Sequence, residues 1–330
     1  MPEDGYAYGI DQCDVPRERR NALQRYRDRR RLWLTWLHTD EHHAIWPTLH
    51  SMVWTEVAFG TLTALAVDSG ENALNNPLLA EALVTGHVAT QVLAIRRLME
   101  DGPKERLSLR SLIKDLNRNA ALFRRENYVC YDGSPYDYAA VREARFIDDA
   151  EKRAQRGVWV PRGGPQDDTL SENLHTIFDK LAGIQPARRS REDRLPRELL
   201  SAIEKWLDES GADELAKWAS TYLAHAGGPN ERTWLGDVTV TTSKITDAIR
   251  ALARVTQAIS LFVYGGGRAG AVMPSAPFDQ FQRLDRSIMR EDDDEAARDF
   301  WGRLSAEWDR CVDGVEDELA KPRLTRSSPP

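Results

Sequence analysis

Apolar residues recur along this chain at helical spacing and alternate at strand spacing in only one short stretch. Arg17 to Leu37 contains no Gly or Pro and follows Pro16, so it predicts one long helix. A second helix is predicted over Glu41 to Val67, with Ile45, Leu49, Val53 and Val57 at spacing four and Pro47 in its first turns. Pro77 opens a third, to Met99 or Glu100, striped by Val88, Val92, Ile95 and Met99. Ser108 to Phe123 follows as a shorter one. Tyr128 to Tyr138, with Gly133 and Pro135, reads as a loop, and Ala139 to Arg156 as a charged helix. Gly157 to Asp168 reads as a linker. Helices resume at Leu170–Leu181, Pro196–Leu207 and Ala212–Ala224. The strongest pattern is Ser243 to Val263, where Ile245, Ile249, Leu252, Val255, Ile259 and Phe262 share one face. Thr242 or Ser243 caps its start and Gly265 to Gly267 stop it. A last amphipathic helix spans 294–319, with Phe300, Leu304, Trp308, Cys311 and Val315 on one side. Only Trp234 to Thr241 looks strand-like. The expected class is all-α.

This pattern divides the 330 residues into a flexible start (1–16), a helical bundle (17–265) with an irregular insertion at about 124–168, a hinge (266–277), a C-terminal helical extension (278–319) and a disordered tail (320–330). Composition narrows the function. Cys13, Cys130 and Cys311 are too scattered for a disulfide framework or a cysteine-rich zinc cluster, which fits a reducing cytosol. The run Val57 to Val67 is 11 residues, too short for a bilayer core of ~30 Å. A soluble, cytoplasmic protein with no membrane partner is expected. The net charge of −7 speaks against a uniformly basic coat for nucleic acid, yet the charge is segregated. Arg17 to Arg31 holds eight Arg against Glu18 and Asp28, a local charge of +6, while Glu291 to Glu295 is wholly acidic. Arg17, Arg20, Arg27 and Arg31 can share a helix face and contact RNA phosphates, or the same face is simply solvated.

Three further motifs carry possible chemistry. His38, Glu41 and His42 fit H-x-x-E-H, in which a helix would set two His and a base around zinc. The motif falls where one helix ends and the next begins, so a capping cluster explains it better. Gly265 to Gly270 fits G-x-G-x-x-G, but a helix precedes it where a dinucleotide loop needs a strand. A helix C-cap is the better reading. Arg31 and His38, and the helix ending Tyr222-Leu-Ala-His225, offer Arg and His for acid–base work on RNA, though a His at a helix C-terminus is favourable by itself.

The order of these pieces resembles the HEPN superfamily in its abortive-infection branch. The residues that carry the likeness are Ile45-Trp46 with the helix after it, then Gln91 to Asp101 leading into Leu107 to Leu116, then the helix end Tyr222-Leu-Ala-His225-Ala and the helix Ile245 to Val263. Arg125-Glu-Asn-Tyr-Val-Cys-Tyr-Asp-Gly133 also resembles a segment of such bacterial proteins. The likeness covers 17–265 and implies a helical bundle, a homodimer, a possible cognate partner protein, and RNA binding or metal-independent RNA cleavage in phage defence, with no cofactor. It implies His225 as the general acid/base. Where the family carries an Arg a few residues earlier, this chain has Trp218, Ala219 and Ser220, with Lys217 the nearest upstream cation. Arg96 and Arg97 on the third helix are the other phosphate-binding candidates. A dimerisation or adaptor module without catalysis is the alternative, suggested by the missing Arg and by ten Trp.

Overall fold

The computed structural model describes residues 5–68, 72–101, 107–155, 167–224 and 239–265, with isolated positions from 272 to 306. The fold is all-α. Among the described residues the β-type pairing is a single bridge between Arg124 and Arg194. The helices are α1 (Arg20–Leu34), α2 (Ile45–Asp68), α3 (Pro77–Met99), α4 (Leu109–Arg118), α5 (Arg125–Cys130), α6 (Tyr138–Gln155), α7 (Asp168–Ala182), α8 (Arg197–Asp208), α9 (Ala212–Ala219) and α10 (Thr242–Tyr264). His225, the strand-like residues 234–238, the glycine run 266–270, the linker residues 157–166 and most of 278–319 lie outside the described residues.

α10 organises the bundle. All six apolar residues of its predicted stripe are buried, and the helix lies against α1, α2, α3, α8 and α9. At ~1.5–3 kcal/mol per fully buried side chain, that stripe outweighs any intrinsic helix propensity. Its N-cap is Thr241, whose hydroxyl accepts from Lys244 N, one residue before Thr242 and two before Ser243, the caps the sequence predicts. Gly265 ends it in the left-handed region (φ 73°), and a Cβ there would collide with Leu174. This glycine is a C-cap, so the G-x-G-x-x-G match begins on a helix end. Trp46 Nε1 donates to Ser260 at 2.9 Å and Trp33 Nε1 to Asp115 at 2.8 Å, so both indoles are buried with their donors satisfied.

α5 corrects two sequence expectations. Residues 128–130, read as loop, are helical, and the start of the supposed insertion lies inside the core. Every residue of α5 is buried, including Arg125, Glu126 and Asn127. Arg125 donates Nη1 to Asp179 at 2.6 Å and Nε to Asp193 at 2.8 Å, with its guanidinium 4.5 Å over the Phe178 ring. Glu126 accepts from Arg19 at 3.1 Å and Arg191 at 3.0 Å. The chain at 190–195 lies along α5 through Arg125 N to Asp193 O and Leu195 N to Phe123 O. Behind Arg125, the His175 ring donates Nε2–H to Tyr136 O at 2.9 Å, while its Nδ1 faces Arg125 Nη1 at 3.4 Å.

Two outcomes test this core. Arg125→Met is expected to cost about 3–5 kcal/mol, because Asp179 and Asp193 lose their buried counter-charge. Arg250→Met, which breaks an exposed pair with Asp247 at 3.4 Å, should lower the unfolding free energy read from denaturant titration by less than ~1 kcal/mol. Burial holds the His175 pKa down at about 4, from 6.5, with Arg189 and Arg125 adding to the effect. The unfolded chain therefore takes up that proton near 6.5 and the folded chain only near 4. Stability is complete above pH 6.5 and falls as pH drops towards 4. Urea midpoints compared at neutral and at mildly acidic pH should fall less for His175→Gln than for the wild type.

Candidate ligand cleft at the end of helix α3

The two arginines near the end of α3 diverge. Arg96 Nε donates to Ser220 Oγ at 2.8 Å, across to the π-turn Ser220–Ala224 that continues α9, and its Nη2 lies 3.7 Å from Glu100. It thus reaches the segment that directly precedes His225. Lys217 is exposed on α9. Arg97 turns the other way, towards the start of α2, and donates to Thr48 Oγ1.

Around Arg97 is a cleft of about 290 Å³ between α2 and α3, lined among others by His42, Thr48, Ser51, Thr90 and Gln91. Helical geometry explains the grouping. Thr48, Ser51 and Thr55 follow one another at spacings of three and four on α2, and Thr90, Ala94 and Arg97 do so on α3, with Gln91 beside Thr90. The two polar rows meet where the helices pack. Gln91 is fully buried and donates Nε2 to Met52 O at 2.9 Å, leaving its Oε1 without a hydrogen-bond partner. Arg97 Nε is also buried and unpartnered. The lining includes no Asp or Glu, and the cleft sits against the first turn of α2, where the helix dipole favours negative charge. The cleft therefore presents a cation, hydroxyls and an unused carbonyl oxygen. Its volume is at the low end of the ~300–1,000 Å³ of small-ligand sites, enough for a phosphate and the sugar attached to it.

A second cleft of about 270 Å³ between α1 and α4 holds Arg29, Lys114 and Arg118, but Asp115 pairs Arg29 at 3.5 Å and Asp101 pairs Lys114. The side-chain hydrogen bond from Lys114 holds the Asp101 carboxyl below its usual range, and both carboxylates already occupy cations that an anion would need. The Arg97 cleft has no such competitor.

The basic run of α1 does not form one exposed face. Arg27 is fully buried, donating Nε to Tyr131 O at 2.6 Å and Nη2 to Tyr8 O at 2.8 Å, with its guanidinium 4.5 Å over the Tyr6 ring. Arg30 is likewise buried, 4.0 Å over the Tyr131 ring. Arg20 donates to Asp11 O at 3.1 Å. Arg31 faces solvent 3.6 Å from Asp28, and Arg17 is exposed. Leu23, Tyr26 and Trp33 are the buried stripe of this helix, and Arg27 and Arg30 fall between them, so burial follows from their phase.

The zinc geometry does not form. His38 lies in a π-turn (Thr35–Thr39), and Glu41 and His42 lie in the turn after it. Asp40 organises that turn by accepting from His42 N at 3.1 Å and His43 N at 2.6 Å. These bonds lower its pKa. Among the described residues no group of His, Cys, Asp and Glu could hold a metal ion. What sequence reasoning missed is Thr48, Ser51 and Gln91. Their signal was a run of Ser, Thr and Gln at helical spacing on two mostly apolar helices.

Arg27→Gln is expected to lower the melting temperature by several degrees, since it removes buried hydrogen bonds and ring packing. Arg31→Gln should leave it within about a degree, because an exposed pair contributes little. Thermal denaturation of the two variants checks this. Comparison with family models, with curated proteins and with solved structures found no match to this chain.

Proposed function

We propose that this chain is an RNA-interacting protein of the HEPN-like kind its sequence resembles, and that it engages phosphate in the Arg97 cleft. The observation that carries the reading is the chemistry of that cleft: a buried unpartnered Arg97 Nε and Gln91 Oε1 beside the hydroxyls of Thr48, Ser51 and Thr90, with no carboxylate in the lining. A guanidinium and hydroxyls suit phosphate oxygens, and a carboxamide oxygen suits a ribose hydroxyl. RNA offers both on every nucleotide.

If the bound RNA is cut, the reaction needs no metal. His225 takes the 2′-hydroxyl proton, the oxygen attacks phosphorus, and the 5′-oxygen leaves with a proton, giving a 2′,3′-cyclic phosphate. Arg96 supports this version because it reaches Ser220, five residues before His225. One observation favours the alternative, a non-catalytic adaptor: Arg96 is already engaged by Ser220 and Glu100.

Binding of single-stranded RNA should fall as salt rises. Arg97→Gln should weaken it roughly 10- to 100-fold and reduce the salt slope by about one, while Arg17→Gln changes it little. Fluorescence anisotropy measures both. A wild type that binds no RNA refutes the reading. Incubation with total RNA tests the catalytic version separately: cleavage unchanged in His225→Ala would remove that residue from the mechanism.

A further inference from the structure

A third cleft, of about 340 Å³, opens where α8 packs on α10, between Trp206, Glu209 and Ser210 on one side and Arg250, Ala251 and Arg254 on the other. Helical phase explains the lining. Leu200, Ile203 and Leu207 are the buried stripe of α8, and Ile249 and Ala253 belong to that of α10. Trp206 precedes Leu207, while Arg250 and Arg254 follow Ile249 and Ala253, so all three stand at the rim of the seam. Trp206 is 37% exposed, and both arginines are exposed.

The guanidinium of Arg254 lies over the Trp206 ring, 4.3 Å from its centroid. Among the described residues it has no carboxylate, carbonyl or hydroxyl partner. The indole thus steadies a flat, unpaired cation and leaves its N–H groups unused. Arg250 stands one turn earlier, and its pair with Asp247, at 3.4 Å, is exposed and weak. The needs of the fold do not account for this arrangement. Two Arg at spacing four on one helix repel each other, and both lie in the middle of α10, away from the last turn where the helix dipole would favour them. Glu209, the carboxylate in the lining, pairs with Lys205 at 3.6 Å.

We infer that this cleft is a nucleotide site, in which a base stacks against the Trp206–Arg254 pair and its phosphate takes the N–H groups of Arg254 and Arg250. An acidic peptide would use the arginines but leave the exposed indole idle, and Glu209 repels a ligand that is anionic throughout. A nucleotide brings one phosphate for the arginines, a flat ring for the stack, and N–H groups on the base that a carboxylate accepts. The chemistry is the same for a free nucleotide and for one unit of a single strand. The site shares no residue with the Arg97 cleft and does not depend on it.

Calorimetric titration of the full chain with each common ribonucleoside 5′-monophosphate, with ribose 5-phosphate and with a short single-stranded oligonucleotide tests this. At least one monophosphate is expected to bind. Trp206→Leu should weaken it roughly 10-fold or more, and Trp206→Phe, which keeps a ring, should weaken it less. Arg254→Gln should weaken it roughly 10-fold, and ribose 5-phosphate, which has no base, should bind more weakly than the nucleotide by a similar factor. A strand that binds more tightly than its monomer, with the same loss in Trp206→Leu, identifies a single strand as the source; equal affinity identifies the free nucleotide. Circular dichroism checks folding, and if Trp206→Leu does not fold, Arg254→Gln decides, because Arg254 has no hydrogen bond to lose. A chain that binds neither monophosphate nor oligonucleotide overturns the inference. Nucleotide binding unchanged in Arg254→Gln and in folded Trp206→Leu also overturns it, and leaves the Arg97 reading intact. Oligoglutamate bound in place of nucleotide overturns it in favour of an acidic peptide.

Discussion

Arg125 is the group on which the rest of this structure depends. It is a fully buried charge, and such a charge is tolerated only when opposite charge and hydrogen bonds surround it. Asp179 comes from α7 and Asp193 from the segment before α8, so pairing one guanidinium through Nη1 and Nε ties three separate parts of the chain together. Asp179 in turn accepts from Arg189 at 2.9 and 2.6 Å, and Glu126 next door collects Arg19 and Arg191. Apolar packing, in which α10 takes part along its length, contributes driving force without a required direction. The charge network adds direction, since each bond requires its partner within about 3 Å. It therefore fixes how 167–195 sits against α5 and α1.

The α2–α3 pair follows a different rule. Away from the bundle, its helices are largely apolar, yet much of that surface is exposed among the described residues. Val67 is 82% exposed and Leu78 56%. Nearer the bundle the same pair carries the polar rows of the Arg97 cleft. One groove thus changes from polar to apolar along its length. Buried Gln91 and the Glu56–His87 pair mark the seam, where polar groups are held between helices. Burial lowers the His87 pKa against the opposing pull of Glu56, so its ring tends towards the neutral form that stacks on Phe59.

Much of the fold was legible because it is carried by periodicity. The stripe of α10 marked six buried residues, and Pro77 marked the start of α3, whose N-cap in the structure is Asn76, accepting from Leu78 N and Leu79 N. α5 was illegible for a physical reason. It is six residues long, opens Arg-Glu-Asn and leads into Gly133 and Pro135, so it reads as a solvated loop. Only Asp179 and Asp193, more than fifty positions away, make its burial possible, and no local pattern announces them. The same blindness affected α1. Counting Arg along the helix suggested a binding face, whereas phase relative to Leu23 and Trp33 sends Arg27 and Arg30 inward. The cleft was half visible: Arg97 was named as a phosphate group, but the hydroxyls and carboxamide around it are ordinary residues until two helices face each other.

The π-turns at Thr35–Thr39 and Ser220–Ala224 have a consequence for evolutionary comparison. A π-turn is one extra residue absorbed without breaking the helix, and it rotates everything after it by roughly a quarter turn relative to an unbroken α-helix. Arg31 and His38, seven apart and aligned on an ideal helical wheel, stand one before and one inside the first π-turn, so that alignment does not carry over. A motif defined by counting residues between an Arg and a His loses its meaning across such a turn. Two chains could keep the same side chains in space while differing by one position in sequence. For this chain, matching by spatial phase is a sounder route to distant kin than matching by residue interval.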